Sequence, residues 1–218
     1  MHDRAAQSVR TESDLLTYSE ARRLAAGGGD LATLHSWLDT YPMNPHPELG
    51  RTGAVCPFTR MARKLDAMRV AICRAAPDEE DAAAAIIARG WQELKGIPVE
   101  RSAEQFRAVV IGFPNCDSDA GVEMLRRAQR RFKYYAVLNF RMIGFLHPRS
   151  GAGGLWNPDF RPLRAPMPTI ALRCMVEQDA PFIATHRLQW APYLIKFGLP
   201  GARRIFDYRK LAPRTAVG

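Results

Sequence analysis

Four prolines between residues 42 and 57 (Pro42, Pro45, Pro47 and Pro57) set the strongest limit on how this chain folds. Each lacks an amide donor and fixes its own φ, so neither a helix nor a central strand runs through them. Gly50 and Gly53 lie among them and permit backbone shapes closed to other residues. The segment reads as an irregular, stiffened connection. Long irregular segments inside compact domains more often carry function than decoration.

The sequence before this segment reads as helical. Leu15, Leu16, Tyr18, Ala21, Leu24 and Ala25 give an amphipathic helix from Ser13 to Ala26, ended by Gly27-Gly28-Gly29. Asp30 caps a second helix through Leu31, Leu34, Trp37 and Leu38, which stops at Tyr41-Pro42. After the segment, a short helix starts at Phe58 and a strand covers residues 69–73. Acidic Asp78–Asp81 opens a helix that stops at Gly96. Residues 106–113 and 140–146 read as strands around a helix that starts at Asp117 or Ser118. A third strand covers residues 169–176. Asp179 caps a helix reaching toward Phe197, and a short helix spans residues 202–208. The expected fold is α+β, with a helical N-terminal part and a small, mainly antiparallel sheet in the second half, flanked by helices. Residues 1–12 read as a flexible tail and residues 13–212 as a single domain.

The longest apolar runs are broken by Arg or Lys, and the N-terminus has no apolar signal core, so a cytoplasmic protein without membrane contact is expected. Cysteines 56, 73, 116 and 174 lack zinc-site or redox spacing and read as free thiols. The net charge of +9 suits nucleic acid, anionic substrates or carboxylate-bearing cofactors. The densest basic run, Arg126 to Tyr135, keeps helical spacing of its apolar residues. It reads first as a solvated helix face, and no nucleic-acid motif accompanies it.

The candidate chemistry centres on Cys56-Pro57-Phe58. One reading is an inert buried cysteine at a helix start, with Pro57 at the first position. The other is a thiolate presented to a haem iron, with Arg51 and Arg60 lowering the thiol pKa. His147, at a strand end, is a candidate ligand, acid or base. It would also serve as the base if Cys56 were a nucleophile.

Three segments carry a family resemblance: Gly53-Ala54-Val55-Cys56-Pro57-Phe58, Ile143–Ser150 with its Leu-His-Pro core, and Leu155-Trp156-Asn157-Pro158. Their order and spacing resemble the YqcI/YcgG family, with a looser likeness over residues 170–183. The resemblance implies a haem b-dependent N-oxygenase that oxidises an amine or guanidine nitrogen of a small metabolite in natural-product biosynthesis. It implies Cys56 as the axial iron ligand, Pro57 and Phe58 beside it, and His147 lining the haem pocket as catalytic residue and rival ligand. Arg51, Arg149 and Arg173 would hold the haem propionates. The electrons come from an external donor, since no flavin or nicotinamide motif is present. A non-catalytic haem-binding or haem-sensing protein is the alternative, followed by a basic nucleic-acid-binding protein using the 126–135 helix. Nucleic acid is not the expected partner, and a homodimer stays open.

Overall fold

The computed structural model describes residue 11, residues 13–184 and residues 187–211. The expected tail at residues 1–12, apart from Thr11, and the end of the chain after residue 211 lie outside the described residues. A five-stranded sheet with strand order β1-β2-β3-β5-β4 forms the centre. β2 (Met68–Ile72) and β3 (Ala108–Gly112) run parallel, with Val70 opposite Val110. A parallel pair needs a long crossover, and α4 (Glu80–Gly96) supplies it. β5 (Thr169–Cys174) pairs antiparallel with β3 on one side and with β4 (Arg141–Leu146) on the other. β1 (Leu16–Thr17) adds a short antiparallel edge to β2.

Strand alternation sorts the two faces. Ala71, Val109, Ile111, Ile143, Ile170 and Leu172 pack beneath α4 and α5 (Asp119–Leu138) in one cluster. α4 contributes Ile87, Trp91 and Leu94. Its Gly90 has no room for a side chain, since a Cβ would lie 2.9 Å from Leu172. The opposite face, Met68, Val70, Ile72 and Val110, packs against α1 (Tyr18–Ala25) and α2 (Gly29–Thr40) through Tyr18, Leu31, Leu34 and Leu38. α1 and α2 cover that face over β2 and β3. Over β5 and β4 the same face carries the half-exposed Ala171, Gly144 and Leu146. A third cluster joins Val137, Met142 and Met175 to α6 (Ala180–Ala184) and to Tyr193 and Ile205 of α7 (Trp190–Leu211).

The α+β class and the mainly antiparallel sheet agree with the expectation. The placement of the strands differs. Two strands lie in the first half, and the first helix yields its start to β1. Thr17 caps α1 there, accepting from the Glu20 amide, while the Glu20 carboxylate accepts from the Thr17 amide. The single helix expected from Asp179 to Phe197 is interrupted, because α6 ends at Ala184 and a separate turn, Arg187–Gln189, leads into α7. α7 runs on through the expected 202–208 helix with a kink at Gly198 (φ 56°), just before Pro200. No helix among the described residues is long and apolar enough to cross a membrane.

Candidate functional site

The proline-rich segment folds back on itself. The Val55 amide donates to Asn44 O (2.9 Å) and the Cys56 amide to Pro42 O (2.8 Å). Pro45 bridges Ala54. Arg51 straps the turn from inside: its guanidinium donates to the carbonyls of Thr52, Ala54 and Val55 at 2.9–3.1 Å. Arg60 ties the same loop to Met43 O at 2.6 Å. These bonds satisfy backbone carbonyls that neither helix nor strand can serve.

The loop after β4 is docked onto this segment. Gly50 has φ 75° and faces the Trp156 backbone, where a Cβ would lie at 3.0 Å. Asn157 donates to Glu48 O (2.9 Å) and accepts from the Asp159 amide. The His46 ring stacks on Phe160 at 4.6 Å. The Leu155–Pro158 segment therefore packs on the stretch just before Gly53–Phe58. Leu155 and Trp156 remain exposed at 50% and 66%.

Cys56 is half-buried, and its charge acts on Arg173. Arg173 shares the partly open face of β5 with Ala171, by alternation from Leu172. Burial opposes its charge, but hydrogen bonds to Asp179, and then the charges of Asp179, Cys56 and Cys174, hold the guanidinium above its ordinary value. Asp179 is 1% exposed and accepts from both terminal nitrogens of Arg173, Nη1 at 2.8 Å, and from the Val176 amide at 2.8 Å. Phe58 lies near Phe106, with centroids 6.2 Å apart, and Pro57 is exposed beside it. The direct partner of Arg173 in β4 is Met142, which is 8% exposed and packs with α6 and α7, so the open positions of this face, Ala171, Gly144 and Leu146, lie farther along the strands. Cys56 offers a soft sulfur donor of the kind that ligates haem iron.

His147 lies elsewhere. It follows β4 at the end where Leu146 faces Thr169, whereas Arg173 is near the far end of β5. Four residue steps separate Thr169 from Arg173, about 13 Å along the strand. His147 stacks on Phe145 (5.1 Å), which packs into the cluster under α4 and α5. Burial pushes its pKa down, helped by Arg126 and Arg149 and opposed by Asp117. Its Nδ1 is buried with no hydrogen-bond partner among the described residues. Arg149 donates to Asp117 O (2.6 Å) and pairs with Asp119 at 3.1 Å, on the start of α5. Arg173 and His147 thus lie on opposite faces and toward opposite ends of the sheet. Arg51 is spent on its own loop.

The basic run on α5 is largely neutralised. Arg126 pairs with Glu123 (3.0 Å), Arg130 with the same carboxylate (3.8 Å) and Arg127 with Glu80 (3.1 Å). Sequence reasoning missed the ion pair that holds Arg173, because Asp179 read as a helix cap. It also missed Arg107 and Arg141, which begin strands and converge only once the register is known. Among the described residues, no group of three or more His, Cys, Asp and Glu could hold a metal ion.

No curated protein and no solved structure matches this chain. The family model described as domain of unknown function DUF6875 matches residues 31–205, a span that takes in the Cys56 loop, His147 and the Arg173–Asp179 pair, and the chain belongs to that family.

Proposed function

We propose that this protein is a haem-binding oxygenase that oxidises an amine or guanidine nitrogen of a small metabolite, with Cys56 as the iron ligand. The observation that carries this reading is the braced loop that presents the half-buried Cys56 within electrostatic reach of Arg173. The resemblance to the YqcI/YcgG family supports it through the same loop. A bound haem supplies the oxidising chemistry. The chain's own residues do the rest. Arg51 and Arg60 hold the loop in shape. One oxygen atom of dioxygen goes to the substrate nitrogen and the other leaves as water, with electrons and protons from an external donor. The free thiols fit a reducing, cytoplasmic setting.

The test is the absorption spectrum of the protein with added haem: oxidised, reduced, and reduced under carbon monoxide. The expected carbon monoxide complex has the long-wavelength Soret band of thiolate ligation, and Cys56→Ala abolishes that band. An imidazole-type complex, unchanged in Cys56→Ala, would move the ligand to a histidine. Failure to form a stable Soret band would overturn the haem reading. Stable haem without oxidation of any amine or guanidine tried would favour the haem sensor.

A further inference from the structure

We propose that Arg107, Arg141 and Lys196 form an anion-binding site around Cys174, built to take the carboxylate or phosphate group of a small metabolite. Arg141 is the direct partner of Cys174 in the sheet. Ala108 is the partner of Arg173, so Arg107, one residue earlier, falls in the Cys174 row. Val109, Leu172 and Ile143, two residues inward on the three strands, all pack in the cluster under α4 and α5. By alternation Arg107, Cys174 and Arg141 share that face. Two guanidinium groups therefore flank one thiol in a single row across β3, β5 and β4.

Lys196 joins them from α7. Its Nζ donates to Met175 O (2.7 Å) and lies over the rings of Phe140 (5.9 Å) and Phe197 (5.3 Å). The Met175 amide meets Phe140 O one step beyond the Cys174 row. Lys196, Arg141 and Arg107 all act on Cys174, against Glu104 alone.

This rim carries more cation than its neighbours balance. Glu104 lies 3.5 Å from Arg107 and is half exposed. Asp179 is taken by Arg173, and Glu177 by Arg204. The Nε atoms of Arg107 and Arg141 are buried with no hydrogen-bond partner among the described residues. Buried guanidinium donors are ordinarily paired, and planar oxyanions are their natural partners. The ammonium of Lys196 supplies a further donor to the same anion. The site lies on the face opposite Arg173 and needs no haem.

The experiment is calorimetric titration of the intact protein with inorganic phosphate and, separately, acetate, at constant ionic strength in chloride. At least one of them is expected to bind saturably. Binding should weaken at least tenfold in Arg107→Gln and in Arg141→Gln, and stay unchanged in Arg203→Gln, an exposed α7 control. Arg141→Lys, which keeps charge but loses the fork, should fall between. Phosphate binding alone assigns a phosphate ligand, and acetate binding alone a carboxylate. Absence of saturable binding by both anions, or glutamine variants that bind like the wild type, would overturn the proposal. If the variants fail to fold, the wild-type melting temperature decides. It should rise with probe concentration beyond the chloride control, and a flat response would equally overturn the proposal.

Discussion

Replacing Asp179 by Asn tests the part of the site on which Cys56 depends. The Asp179 side chain is 2% exposed and that of Arg173 28%. The carboxylate takes two guanidinium N–H groups and the Val176 amide. Asn keeps the shape and one acceptor oxygen, but turns an NH2 group toward donors and leaves the guanidinium charge uncompensated. Removing one partner of a buried pair costs about 3–5 kcal/mol. Water reaches part of Arg173, which places the loss near the lower end, about 3 kcal/mol. For a chain of this size that is a fall in Tm of roughly 6–12 °C. Urea unfolding followed by circular dichroism, with a common m-value, measures it. The paired replacement Arg173→Met with Asp179→Leu removes both charges and should recover most of the stability. A loss below about 1 kcal/mol in Asp179→Asn, or a double variant as unstable as the sum of the singles, would refute the argument that this pair is buried and coupled.

Other consequences follow from burial and close packing. In Gly121→Ala the new Cβ would lie 2.6 Å from the Cys116 backbone, so the start of α5 must shift; unfolding should show a loss of about 2–3 kcal/mol. Burial holds His35 and His147 below the ordinary 6.5, so the folded state binds fewer protons than the unfolded one. Their share of stability is complete above pH 6.5 and is lost as pH falls from there toward the folded values; His147→Gln should flatten the decline in a urea series from pH 8 to 5. Burial raises the thiols of Cys73, Cys116 (to about 11) and Cys174. Iodoacetamide at pH 8 should therefore label Cys56 first, as read by peptide mass spectrometry.

What the sequence made legible follows the range of the interactions involved. α4 is written locally: acidic residues at its start, an apolar stripe through Ile87, Trp91 and Leu94, and a stop at Gly96. The 42–57 loop is equally local, since its prolines forbid anything regular. β1 was hidden because two residues make a strand only through their pairing with Val70 and Arg69, far along the chain. The insertion of β5 between β3 and β4 is likewise a long-range choice that strand patterns do not encode. The candidate site divides in the same way. Ile143, Phe145 and His147 alternate with Met142, Gly144 and Leu146, so the residues sharing a face along β4 were readable. Which of those faces Cys56 would meet depends on the face of β5 that carries Arg173, and that requires the register across the sheet. The shared haem pocket expected for Cys56 and His147 rested on the family resemblance. Strand alternation and register instead put His147 on the face opposite Arg173. A ligand held at Arg173 would have to cross the sheet to reach His147, so the two residues belong to separate sites.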